Sequence, residues 1–170
     1  MTVNDVTLEV RSHLANCLVS FRGPVQGNGT IYCKSDKAGI EFNGGANSNF
    51  TGVIIAEGGG IDARGGRTVS YYLLGDTNSP TIVTNGGHVR LLRDATGYSL
   101  TQPATNAEPI QVYSVHGTGA VRFVAYNMAR YEGTITLHTN GVIAYSQWFS
   151  DPTVGERRDF YFKGSVVQDN

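Results

Sequence analysis

Short apolar runs alternate with glycine- and asparagine-rich punctuation along the whole chain. Five runs precede residue 56: Leu8-Glu9-Val10, Leu18-Val19-Ser20-Phe21, Thr30-Ile31-Tyr32-Cys33, Ile40-Glu41-Phe42 and Val53-Ile54-Ile55. Their starts fall about 10 to 13 residues apart, and two runs with their turns make a repeat of about 22 residues, close to one coil of a parallel β-helix. An antiparallel meander has similar spacing, but runs this short fit solenoid strands better.

Beyond residue 68 the pattern changes. Candidate strands fall at 69–74, 81–84, 88–93, 110–115, 120–126, 133–138, 142–147 and 160–167, and several alternate cleanly. In Thr134-Ile135-Thr136-Leu137-His138 apolar and polar residues face opposite ways. Half-buried strands alternate like this, whereas parallel strands covered on both faces do not. The Asn-Gly pair at 140–141 marks a hairpin. This half therefore reads as an antiparallel β-sandwich of jelly-roll type. The glycine-rich stretch 56–68 reads as a hinge. The expected fold is all-β: a short right-handed parallel β-helix of two or three coils over 1–62, then a C-terminal β-sandwich over 63–170. No window has helical periodicity, and segment 94–109 reads as a long polar connection.

Composition narrows the function classes. Charged residues make up 16% of the 170 residues, and 13 Lys and Arg against 14 Asp and Glu leave a net charge of −1. Nucleic-acid binding and electrostatic membrane docking both call for a basic face that this balance does not supply. A weakly charged surface with many Ser, Thr, Asn and Tyr suits contact with sugars or another protein. No apolar stretch approaches the length of a membrane span, and Met1 is not followed by a secretory leader. A virion or extracellular setting then requires release by lysis or a Met1 added for expression. Cys17 and Cys33 lie in apolar runs and read as buried free thiols. Together with the scattered His13, His88, His116 and His138 they form no metal-ligand cluster, so neither a metal nor a cofactor is expected.

The chemistry-bearing candidates are few. There is no P-loop, dinucleotide fingerprint or nucleophile elbow. Glycosidases need two carboxylates in one cleft. Glu57 and Asp62 flank the glycines of the hinge, and Asp151 lies in the loop before the last strand, so these three are the catalytic candidates. The stronger reading of the acidic residues near 151–159 is a solvated turn with local ion pairs, Glu156-Arg157-Arg158-Asp159. Tyr145, Gln147 and the single Trp148 place aromatics and an amide close together, which matches the CH face and hydroxyl rim of a sugar. Core or subunit-interface packing is the competing role for these aromatics.

The rung-like runs of 7–55, the asparagine-rich turn Asn43-Gly44-Gly45-Ala46-Asn47-Ser48-Asn49 and the sandwich-like tail resemble the distal half of bacteriophage tailspikes and related β-helical polysaccharide depolymerases. That resemblance implies a homotrimer whose C-terminal region serves trimerisation and recognition of bacterial surface polysaccharide. Two alternatives stand beside it: a glycan hydrolase or lyase with its site in a groove or between subunits, and a stand-alone lectin-like or capsid-decoration sandwich. A solenoid of few coils also has an open end that something must cover, so the N-terminal coil is expected to be truncated or partnered.

Overall fold

The structure, a computed structural model, describes residues 1–12, 17–43, 47–65, 72–93, 104–113, 120–125, 129–139, 143–146 and 160–169. The described residues contain strands and no helix. In chain order the strands are β1 (Thr7–Val10), β2 (Cys17–Phe21), β3 (Thr30–Lys34), β4 (Ala38–Asn43), β5 (Val53–Glu57), β6 (Gly60–Gly65), β7 (Thr81–Thr84) and β8 (His88–Arg93). They continue as β9 (Ala104–Asn106), β10 (Ile110–Val112), β11 (Val121–Ala125), β12 (Ala129–Tyr131), β13 (Thr134–Leu137), β14 (Ile143–Ser146), β15 (Phe160–Phe162) and β16 (Ser165–Gln168).

These strands wind into a parallel β-solenoid with three walls. The first is a seven-stranded sheet in the order β1-β3-β5-β7-β10-β13-β16, and the second a six-stranded sheet in the order β14-β11-β8-β6-β4-β2. The third wall is the sheet β9-β12-β15, preceded by less regular segments that include the parallel bridges of Thr2 with Gln26 and Gly27 with Phe50. Each coil passes through the walls in turn and stacks on the previous coil.

The core consists of columns of like residues, because parallel register places the same position of every coil in line. Leu8, Ile31, Ile54, Thr81, Ile110, Ile135 and Val166 form one inward column. Val19, Ile40, Ile61, Val89, Val121 and Ile143 form another on the second wall. The interior members Ile31, Ile40, Ile54, Ile61, Val89, Ile110, Val121 and Ile135 are buried, and Phe21 and Phe42 stack in the next column with ring centroids 5.5 Å apart.

The antiparallel sandwich expected over 63–170 is not what these strands form. β7, β8, β10, β11, β13, β14 and β16 extend the two sheets begun by the N-terminal coils, all in parallel pairing. Alternation misleads here because solenoid walls are parallel yet covered on one face only, so their strands carry the half-buried pattern ordinarily seen in antiparallel sheets. β13 and β14 lie in different sheets, so they form no hairpin, and residues 140–142 between them lie outside the described residues. The single strand expected at 160–167 is two strands, β15 on the third wall and β16 on the first. Position 62 lies inside β6, between β4 and β8 in one sheet, and Gly58-Gly59 makes the corner from β5 to β6.

Both cysteines are free, Cys33 buried and Cys17 half-buried. Burial, aided by the Asp62 charge, pushes the Cys33 thiol up to about 11. In native protein near pH 8 a disulfide reagent is therefore expected to label Cys17, with Cys33 following only in denaturant. Both thiols reacting at one rate in native buffer would contradict this packing.

Candidate functional site

The outward face of the six-stranded sheet carries a row of mutually paired polar side chains. Register places Ser20, Glu41, Asp62 and Arg90 in one outward row crossing four coils. Adjacent strands lie roughly 4.8 Å apart, so side chains in such a row touch. Arg90 grips Asp62 with both arms, Nε to Oδ1 at 2.6 Å and Nη2 to Oδ2 at 2.5 Å. Glu41 accepts from Ser20 Oγ at 2.8 Å, from Arg64 Nη1 at 2.9 Å and from Asn43 Nδ2 at 3.5 Å.

The two neighbouring carboxylates are buried and titrate in opposite directions. At Glu41 burial opposes the charge, but the hydrogen bonds from Arg64 and Ser20 outweigh it and hold the carboxyl below its ordinary value. At Asp62 burial outweighs the Arg90 fork, and the adjacent Glu41 charge adds to it, so its carboxyl is raised. Both groups spend their oxygens inside the row, which makes them a fixed charge pattern before anything else.

Beside this row lies a hollow of about 370 Å³. Its floor is made by the neighbours Gly39 and Gly60 in the row Leu18-Gly39-Gly60-His88. Neither glycine carries a side chain, and the Leu18 side chain and the His88 imidazole lean over the places their Cβ atoms would take. A Cβ on Gly39 would stand 3.1 Å from Leu18 Cδ1, and one on Gly60 would stand 2.6 Å from His88 Nε2. Asp36, Lys37, Asp62 and Arg90 bring charge to the lining. The hollow thus offers an apolar contact, an imidazole and a carboxylate–guanidinium pair around a backbone floor, a mix that suits a ligand with an apolar face and a rim of hydroxyls.

The residues singled out from sequence fare differently. Asp62 is in this site. Glu57 points outward from the first wall, where Asn85 Nδ2 donates to it at 3.4 Å and Lys34 Nζ stands 4.0 Å away, so it does not share a face with Asp62. The carboxylate that does is Glu41, which sequence reasoning missed. The signal was present: Val19-Ser20-Phe21, Ile40-Glu41-Phe42, Ile61-Asp62-Ala63, Val89-Arg90-Leu91 and Val121-Arg122-Phe123 share one apolar-polar-apolar frame. Tyr145 lies in β14, in register with Phe123, while Gln147, Trp148 and Asp151 lie outside the described residues.

Among the described residues no group of three or more His, Cys, Asp or Glu is placed to hold a metal ion. Among the same residues no helix is long and apolar enough to cross a membrane. Comparison with protein-family models, curated proteins and solved structures gives no match to this chain.

Proposed function

We propose that this chain is the carbohydrate-recognition and trimerisation region of a tailspike-like β-solenoid, carried on a phage particle and meeting bacterial surface polysaccharide. The observation that carries this reading is the glycine-floored hollow beside the Glu41–Asp62–Arg90 row on the outer face of a parallel sheet. A sugar ring would lay its CH face on Leu18 and the glycine floor, with its hydroxyls on the Asp62–Arg90 pair and His88. Three copies would assemble side by side, leaving this wall open to glycan.

The test is calorimetric titration with capsular and lipopolysaccharide-derived oligosaccharides. Binding by the wild-type chain, weakened roughly tenfold or more by Gly39→Ala with melting unchanged, is the expected result. The alanine methyl narrows the hollow, standing 3.1 Å from the flexible end of Leu18 and in ordinary contact with the Gly60 carbonyl oxygen at 3.5 Å. Absence of binding across the panel, or equal binding by Gly39→Ala, would sink this assignment.

The second reading, a glycan hydrolase or lyase, is favoured by one observation: Glu41 and Asp62 are neighbours whose carboxyls are pushed in opposite directions, as acid–base pairs are. It requires release of new chain ends from polysaccharide, abolished in Asp62→Asn. The stand-alone sandwich has no support, because it needs residues 1–62 in an antiparallel domain and they pair in parallel.

A further inference from the structure

We infer that the Tyr113 ring is a second sugar platform, on the outer face of the first wall. The ligand class rests on the carbohydrate reading above, while the geometry stands on other residues. Parallel register sets Glu57 beside Thr84 in one outward column at the end of that wall. Tyr113 and His138 continue the column, one step beyond the paired Val83, Val112 and Leu137. Tyr113 is 47% exposed.

The exposed ring is nonetheless fixed. The His138 imidazole stacks on one of its faces, with centroids 4.1 Å apart and planes 5° from parallel. The phenol hydroxyl donates to Gln111 Oε1 at 3.2 Å, and Asp169 Oδ2 lies 2.9 Å from His138 Nδ1. An aromatic held from behind and at its tip loses little freedom when a ligand arrives. Its other face looks along the column to Thr84, a short side chain. Beyond Thr84 stands the Glu57 carboxylate, to which Asn85 Nδ2 donates at 3.4 Å. β10 and β5 flank β7, so they are two strand spacings apart, roughly 10 Å. A sugar ring stacked on Tyr113 at van der Waals distance, roughly 4 Å, would sit over Thr84 with its hydroxyls toward the Glu57 carboxylate and the Asn85 amide. The column thus forms a shelf with an aromatic back, a short floor and a polar front. It also adjoins the hollow: Gly58 follows Glu57 directly and lines the hollow, so the two places meet at the corner between the first and second walls. A polysaccharide chain crossing that corner would engage both, and a single sugar only one.

Fluorine NMR of the full chain carrying 3-fluorotyrosine tests this, the Tyr113 signal being assigned by its loss in Tyr113→Phe. Titration with the methyl glycosides of glucose, galactose, mannose and rhamnose is expected to move that signal with at least one of them, in wild type and in Gly39→Ala alike. Thr84→Tyr, which fills the shelf and leaves Tyr113 in place, is expected to abolish the movement. With capsular and lipopolysaccharide-derived oligosaccharides, Tyr113→Ala and Thr84→Tyr are each expected to lower affinity roughly tenfold, their folding being checked by melting. A Tyr113 signal indifferent to every glycoside overturns the inference, as does one moved more by tetramethylammonium, which would make the ring a cation site. Oligosaccharide binding lowered by Gly39→Ala but undiminished by Tyr113→Ala overturns it while sparing the hollow. The reverse pattern supports it and removes the hollow instead.

Discussion

Gly52→Ala is expected to lower the melting temperature by about 10 °C, the largest effect expected of a methyl added at any described glycine. An alanine Cβ at this position would lie 1.9 Å from the carbonyl oxygen of Gly29 in the preceding coil. That obstacle is backbone, so no side chain can swing away to relieve it. The same corner recurs at Gly164, whose Cβ would lie 2.0 Å from the Gly133 oxygen. These glycines stand just before β5 and β16, where Val53 N–H and Ser165 N–H donate to the Gly29 and Gly133 carbonyls, both at 3.1 Å. Overpacking against a fixed neighbour costs about 3 kcal/mol, and each kcal/mol is worth roughly 2–4 °C in a domain of this size. Gly23→Ala is the matched control, since its Cβ meets nothing within 4 Å. Similar melting of the two variants would show that the coils stand further apart at this corner than described.

Glu108→Ala is expected to cost about 4 kcal/mol. Glu108 has no solvent-exposed surface. Its Oε1 accepts from Leu74 N–H at 3.2 Å and its Oε2 from Ala107 N–H at 3.0 Å. Truncation orphans these donors inside the protein, at roughly 1–3 kcal/mol each, and leaves a void. It acts in sequence with a second polar device on the same wall. Asn47 accepts from Val25 N–H at 2.8 Å and donates to the Leu73 carbonyl at 2.5 Å, and Asn106 Oδ1 accepts from Leu73 N–H at 3.3 Å. Side chains thus complete the backbone ladder where the third wall is too irregular to do so itself.

Burial also pushes the Glu108 carboxyl up to about 7, the hydrogen bonds pulling the other way. Its folded-state value lies above that of the unfolded chain. The stability it contributes is therefore fully present below about pH 4.5 and is lost as pH rises toward 7, by about 3 kcal/mol. Urea titrations at intervals across that range should show the decline in wild type and a flatter profile in Glu108→Gln. Equal slopes would assign the decline to other groups.

How far the sequence revealed this arrangement depended on the regularity of the repeat. Thr7, Thr30 and Val53 are register partners 23 residues apart, so the early coils were legible from spacing alone. The partners that follow, Ile54 with Thr81, Thr81 with Ile110, Ile110 with Ile135 and Ile135 with Val166, are 27, 29, 25 and 31 residues apart. A solenoid corner can lengthen without disturbing the walls, and lengthening erases the period that identifies the coil. Asp62 was found because, with Glu57, it flanks a run of glycines. Glu41 and Arg90 were not, because their meaning lies in sharing a row, and the row is visible only once the coils are aligned.

The solenoid also has a mechanical grain. Its interstrand hydrogen bonds run along the axis, and residues 1 and 169 belong to coils at opposite ends. A pull on the two termini opens those bonds head on, one turn after another, while a sideways load meets the covalent chain wrapped around the circumference. The molecule is thus weakest along its length and firm across it, as a wound spring is.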